Sequence, residues 1–225
     1  GGAKGGINFP SEDPRSKDVL KRYLQAHLPY IKEYWLTSED LGTREEDIAA
    51  ILNEFGVKST VQAFILKQEN PQQLVESLQK SVTATYDGMK LTDLVTGYGI
   101  AVVTTEALDN LGVNVKDAKI SIQGFGSVGA SAAKFLAENG AKVVAVADIH
   151  GTIYAENGLD IHKLLELKDS RGNISREGLP ENYEQLPSED WLNVDVDVLI
   201  PAAIADVINK NNVNDVKARL IVEAA

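Results

Sequence analysis

The residues with the clearest chemical consequence are three glycines in the run Gly124-Phe125-Gly126-Ser127-Val128-Gly129. At this spacing a strand can turn into a helix around a pyrophosphate. Gly124 permits the tight turn, Gly126 lacks a Cβ and lets backbone approach the phosphates, and Gly129 lets the helix lie close to the strand. The unpaired amides and positive dipole end of the helix then favour an anion. Glycine runs of this kind also occur in ordinary turns, so the surroundings decide. A short apolar strand, Lys119 to Gln123, comes before; a helical run, Ala130 to Asn139, stopped by Gly140, comes after. A second apolar strand, Lys142 to Asp148, then ends in an acid 19 positions beyond Gly129, against about 20 for this fingerprint. Asp148 is placed to accept hydrogen bonds from adenosine ribose hydroxyls. An acid there favours NAD over NADP, because it repels a 2′-phosphate. Neighbouring Ile149 and His150 include no arginine, although His150 could turn towards a phosphate.

Other candidates are ambiguous on residue type alone. Lys4, between glycines, reads as a solvated lysine in a flexible start, and no serine or threonine follows it as a phosphate loop requires. Asp40 reads as an acid in the first turn before a helix beginning at Thr43, or as its cap, and Thr96 as a helix N-cap.

The elements that must position these residues follow from apolar spacing. Ser16 to Tyr34 carries Val19, Leu20, Tyr23, Leu24, Leu28 and Ile31 at helical intervals, and Pro29 predicts a bend. Thr43 to Phe55 repeats the pattern with Ile48, Ile51, Leu52 and Phe55, and Gly56 is a natural stop. Val57 to Lys90 is glutamine-rich, with Pro71 placed to open a helix through Leu74 and Leu78. From Leu91 the texture becomes that of an alternating α/β domain, which places a boundary near Met89 or Lys90. Thr96 to Leu111 suits a helix entered through a glycine turn, and the nucleotide run forms a βαβ unit. Gly151 to Asp190 reads as a helix with a polar excursion, Asp197 to Ile200 as a strand, Ala205 to Lys210 as a short helix and Ala218 to Val222 as a strand. The predicted fold is α/β, a Rossmann-like domain with a mostly parallel sheet covered on both faces.

Composition excludes several classes. With 22 basic and 33 acidic residues the formal charge is −11, which opposes binding to a nucleic-acid backbone. There is no cysteine and only three scattered histidines, so neither a disulfide framework nor a metal site is expected. No apolar run reaches the ~20 residues of a membrane span, and a cytoplasmic address is compatible with this. The start without methionine and the apolar run Leu220 to Ala225 suggest a fragment of something larger.

Taken in order, Gly1-Gly2-Ala3-Lys4-Gly5-Gly6-Ile7, Glu39-Asp40-Leu41-Gly42-Thr43, Thr96-Gly97-Tyr98-Gly99, the nucleotide run, Leu199-Ile200-Pro201-Ala202-Ala203 and Leu220-Ile221-Val222-Glu223 resemble the glutamate, leucine, phenylalanine and valine dehydrogenases. Among these the chain looks most like the glutamate dehydrogenases. The resemblance implies two domains. Residues 1–89 would be an incomplete substrate-binding and oligomerisation domain, and 90–225 an NAD(P)-binding domain truncated at its C-terminal end. It implies oxidative deamination of glutamate to 2-oxoglutarate and ammonium with hydride transfer to NAD, with NADP as the alternative, in a homo-oligomer, often a hexamer. By position, Lys4 and Asp40 carry the catalysis across a cleft between the domains. Lys4 would need a pKa lowered by burial there. Thr96 and Ser127 contact the nicotinamide, as does the backbone of Ala202 and Ala203.

Departures from the family pattern keep alternatives open. Val57 to Lys90 matches poorly, Asp13-Pro14 comes late, and Tyr86-Asp87-Gly88-Met89-Lys90-Leu91 replaces a glycine-rich stretch. Glu39 resembles the branched-chain members, and a negative charge there would disfavour an acidic substrate. The lysines that hold substrate carboxylates lie upstream in the family, and an asparagine and a serine lie downstream of Val222. The fragment alone is therefore expected to bind nucleotide weakly without turnover. The alternatives are a leucine or valine dehydrogenase, or a dinucleotide-binding regulator without catalysis.

Overall fold

The computed structural model describes residues 4–225, so Gly1 to Ala3 of the first glycine motif lie outside the described residues. Contacts divide the chain between Lys80 and Ser81, somewhat before the boundary expected at residues 89–90.

In the first unit, apolar residues three and four apart bring helices together. Helix α1 (Ser16–Glu33) and α2 (Glu45–Glu54) bury Leu24, Ile31, Ile48, Ile51 and Leu52 in one cluster with Val57. The bend expected at Pro29 does not interrupt α1, which runs through it. Proline removes one backbone donor, but Leu24 before it and Ile31 after it are anchored in the same core, so packing holds the helix. Three acids, Glu45, Glu46 and Asp47, occupy the first turn of α2, where the dipole favours them. The helix stops two residues before Gly56, whose φ of +77° lets the Val57 amide return to the Leu52 carbonyl at 3.0 Å. A short helix α3 (Gln62–Ile65) follows, and α4 (Pro71–Thr83) starts at the predicted proline.

The second unit opens with a hairpin, β1 (Thr85–Tyr86) and β2 (Met89–Lys90). Its two-residue turn, Asp87-Gly88, has positive φ at both positions, the geometry that aspartate-glycine favours. Asp87 pairs with Lys134, whose side chain is only 2% exposed and also meets Glu138. Helix α5 (Leu91–Asn110) leads to β3 (Lys119–Gln123), α6 (Ser127–Glu138) and β4 (Lys142–Asp148), and both strands have the predicted ends. After β4 the chain departs from expectation. Instead of one helix it forms β5 (Gly151–Tyr154), α7 (Ile161–Leu167) and β6 (Glu184–Leu186). The expected helix from Ala205 to Lys210 is a series of turns. Strands β7 (Val198–Pro201) and β8 (Leu220–Ile221) complete the sheet.

The sheet order is β6-β5-β4-β3-β7-β8. The central pairs β3 with β4, β3 with β7 and β7 with β8 are parallel, and the β5 and β6 edge is antiparallel. From β3 the chain crosses to β4 on one side and later returns to β7 on the other. The carboxyl ends of β3 and β7 are thus a topological switch point, where ligands bind in such sheets. A register shift between Ile120 and Ser121 changes which residues of β4 face which side. Val143 and Val146 enter one core with α5 and α6 residues, and Val144 and Ala147 enter another with Trp191 and Leu199. The shift therefore turns position 148 to the face of Val146. Among the described residues no helix is long and apolar enough to cross a membrane.

Candidate dinucleotide site and acid–base pair

In the first unit, Lys4 Nζ donates to Asp40 Oδ2 at 2.8 Å. Gly5 fixes the neighbourhood of Lys4, because a Cβ there would lie 1.9 Å from Tyr23 Oη and 3.4 Å from Trp35. Tyr23 in turn stacks near His27 and edge-on to Trp35, with ring centroids 4.4 and 6.3 Å away. Asp40 sits in a tight turn. Its amide donates to Thr43 Oγ1 at 2.9 Å, its carbonyl accepts the Thr43 amide at 2.9 Å, and Oδ1 accepts the Leu41 amide. Gly42 closes that turn with φ +78°.

Asp40 does not cap α2, which begins only at Glu45; it stands in the turn that precedes that helix. The acid that serves the start of α2 is Glu39, whose Oε2 accepts the Glu45 amide at 2.9 Å.

The side chains of Lys4 and Asp40 are 84% and 68% exposed. The hydrogen bond to Asp40, then its charge, holds the Lys4 pKa above its ordinary value. Hydrogen bonds from Lys4 and from the Leu41 amide, and the Lys4 charge, hold Asp40 below its own. This runs opposite to the lowered lysine pKa expected of a base in a closed cleft, because the slight desolvation of this exposed side chain is outweighed by the carboxylate.

In the second unit the nucleotide run joins β3 to α6 as its spacing demands. Gly124 has φ +92°, and a Cβ there would lie 2.8 Å from the Ala202 carbonyl oxygen and 2.9 Å from the Ala203 Cβ. The first glycine thus packs against the chain leaving β7, and the Ala202 amide donates to the Gln123 carbonyl at 2.8 Å. A Cβ on Gly129 would fall 2.0 Å from the Gly124 carbonyl oxygen, so the third glycine is required by the close approach of helix and strand. Gly126 differs: nothing lies within 4 Å of where its Cβ would be. Internal packing does not demand glycine there, and the open space suits a group from outside the protein. Gly126 precedes the helix without a side-chain cap, leaving the first amides of α6 to an anion. The Phe125 side chain is buried in the core, so only its backbone can serve a ligand. Val128 is half-buried and Ser127 exposed. The residues present fit a dinucleotide pyrophosphate.

Thr96 lies inside α5, which begins five residues earlier at Leu91, so it neither starts nor caps that helix. The adjacent Gly97 is no turn either, since its Cβ would meet Ser131 Oγ at 1.9 Å and the Ala132 amide at 2.5 Å. It lets α5 cross α6 closely. Thr96 remains exposed. One turn before it, Asp93 accepts from Ser127 Oγ at 3.4 Å, a neighbour the sequence reading missed.

The largest departure concerns Asp148. Its side chain is 2% exposed, and Arg176 grips it with Nη1 on Oδ2 at 2.8 Å and Nη2 on Oδ1 at 2.7 Å. The amides of Ile174 and His150 donate to Oδ2 and Oδ1, both at 2.8 Å. Burial pushes this carboxyl up, but the Arg176 bonds, the two amides and the arginine charge outweigh it and leave the pKa below the ordinary value. The acid expected to receive ribose hydroxyls is already saturated. Arg176 stands 28 residues beyond Asp148, inside the stretch read as a helix, and no local spacing marks it.

A family model described as Glutamate/Leucine/Phenylalanine/Valine dehydrogenase matches residues 88–225. The NADP-specific glutamate dehydrogenase of Saccharolobus shibatae is 34% identical over 233 residues, covering 100% of this chain and 51% of that protein. The NAD-specific glutamate dehydrogenase of Staphylococcus aureus is 38% identical over 133 residues, 59% of this chain and 31% of that protein. Among solved structures, a hetero-hexameric glutamate dehydrogenase of Thermus thermophilus aligns with a TM-score of 0.67 at 25% identity, over 96% of this chain and 48% of that one. The chain spans about half the length of the first of these relatives. With well over half of its residues matched by that family model, it belongs to the glutamate, leucine, phenylalanine and valine dehydrogenase family.

Proposed function

We propose that this chain is part of an NAD(P)-dependent dehydrogenase that oxidises L-glutamate to 2-oxoglutarate and ammonium. The observation that carries the reading is the meeting of Gly124 with Ala202 and Ala203 at the switch point between β3 and β7, with the open face of Gly126 and the start of α6 beside it. The second unit then holds the dinucleotide, with Thr96, Ser127 and the backbone at Ala202 and Ala203 towards the nicotinamide. The first unit supplies Lys4 and Asp40. When bound, the nicotinamide accepts the hydride that leaves the amino acid's α-carbon. The resulting iminium takes up water at that carbon and releases ammonium. Lys4 serves as the base towards water once bound substrate strips its solvent and lowers its pKa, and Asp40 handles protons on the nitrogen.

Glutamate is favoured over leucine or valine by the relatives named above. The family resemblance supports a homo-oligomer and a cytoplasmic setting.

The test is oxidation of NADH and NADPH by the complete protein with 2-oxoglutarate and ammonium, set against the oxo acids of leucine and valine. Turnover confined to 2-oxoglutarate is expected. Turnover with only the branched-chain oxo acids would move the substrate. Dinucleotide binding with no turnover on any oxo acid would leave the regulatory reading.

A further inference from the structure

Resting on that dinucleotide reading, one feature at the adenosine end goes further. A carboxylate offers about four acceptor positions, and Asp148 has all four filled by His150, Ile174 and both terminal nitrogens of Arg176. Arg176 is fixed in turn, with Nη1 donating to the Ile174 carbonyl at 2.8 Å and Nη2 to the Gly151 carbonyl at 3.0 Å. A planar guanidinium on a carboxylate in this two-point form is a strong, directional pair.

The hairpin that delivers Arg176 is itself braced. Lys168 and Ile174 form a bridge, and the Asp169 side chain accepts from the amides of Arg171 and Asn173 at 2.8 Å and from Asn173 Nδ2 at 3.0 Å. Its tip is Gly172, at φ +86°, where a Cβ would come within 2.7 Å of the Gly126 nitrogen and 2.9 Å of the Phe125 carbonyl carbon. One end of this strap is seated on the nucleotide run and the other is locked on Asp148.

An unpaired acid at the end of this strand selects a ribose 2′-hydroxyl and repels a 2′-phosphate, whereas an arginine nearby accommodates that phosphate. We propose that Arg176 is a specificity-determining residue: by ion-pairing and saturating Asp148 it cancels the selection against a 2′-phosphate, so the adenosine subsite admits NADP(H) at least as readily as NAD(H). This reverses the preference for NAD that Asp148 and its sequence neighbours suggest.

The experiment is fluorescence titration of the complete protein with NADH and NADPH, and calorimetry with adenosine 2′,5′-bisphosphate against AMP. Wild type is expected to bind NADPH no more weakly than NADH, and the bisphosphate no more weakly than AMP. Arg176→Met frees Asp148 and is expected to weaken NADPH about tenfold or more relative to NADH. Asp148→Asn, which leaves the arginine in place, is expected to change NADH affinity less than about threefold without weakening NADPH. A tenfold preference of wild type for NADH, or a tenfold loss of NADH affinity in Asp148→Asn, would overturn the assignment and restore Asp148 as the ribose acceptor. Binding of none of the four ligands would instead sink the dinucleotide reading itself.

Discussion

Two ion pairs of this chain use the same chemistry to opposite ends. Asp148 and Arg176 are nearly covered, joined at two points and completed by two backbone amides; Lys4 and Asp40 meet through one bond with both side chains largely in solvent. Removing one partner of a covered pair leaves a charge without water or counter-charge. In the exposed pair water replaces the partner at little cost. The first pair suits a fixed structural boundary, and the second, in the proposed reaction, would exchange its partner for a substrate. Depth of burial, more than residue type, separates the two pairs.

The contrast can be broken at either side. The largest effect is expected from Lys4→Ala, which lowers turnover of the complete protein by about 10²–10⁴-fold, the range for a lost acid–base group, while its melting temperature stays at the wild-type value. A lowered melting temperature would make Lys4 a structural residue. Arg176→Met does the reverse, lowering stability by about 3 kcal/mol in urea unfolding. Unchanged stability would mean that Asp148 finds water when its partner is gone.

Gly97→Ala is expected to destabilise by about 1–3 kcal/mol through overpacking of α5 on α6, read by thermal unfolding. Wild-type stability in that variant would mean that α5 and α6 can move apart at Gly97 without cost.

The smallest effect is the pH dependence of the covered pair. Asp148 has a folded-state pKa below its unfolded value, so its stabilisation is fully present above the unfolded pKa of about 4 and is lost as pH falls through the lowered folded value. The stability difference between wild type and Arg176→Met should be flat at neutral pH and shrink below about pH 4. A difference that grows in acid would contradict that sign.

Features written in neighbouring residues were legible from sequence. Strands β3 and β4 ended where their apolar runs ended, α4 began at Pro71, and the glycines at 124 and 129 had the steric tasks their spacing implied. Misreadings arose where a distant partner chose between local options. Gly151 to Tyr154 became a strand because it could pair antiparallel with Ala145 to Asp148. Thr96 and Gly97 looked like a helix entrance, but α5 already ran from Leu91, and the glycine served the crossing with α6. Pro29 signalled a bend, yet α1 stays one continuous helix through it, with apolar anchors on both sides.

The sequence by itself determined the βαβ unit, the glycine loop and the acid at the end of β4, because each depends on short-range sterics and on a periodicity of two or 3.6. Only the tertiary structure decided what that acid does. A register shift turned position 148 to the α6 face, and a hairpin braced by Asp169 carried Arg176 back across 28 residues to meet it. The strength of such a pair depends on burial and on the direction of two side chains, and neither quantity is a function of spacing along the chain.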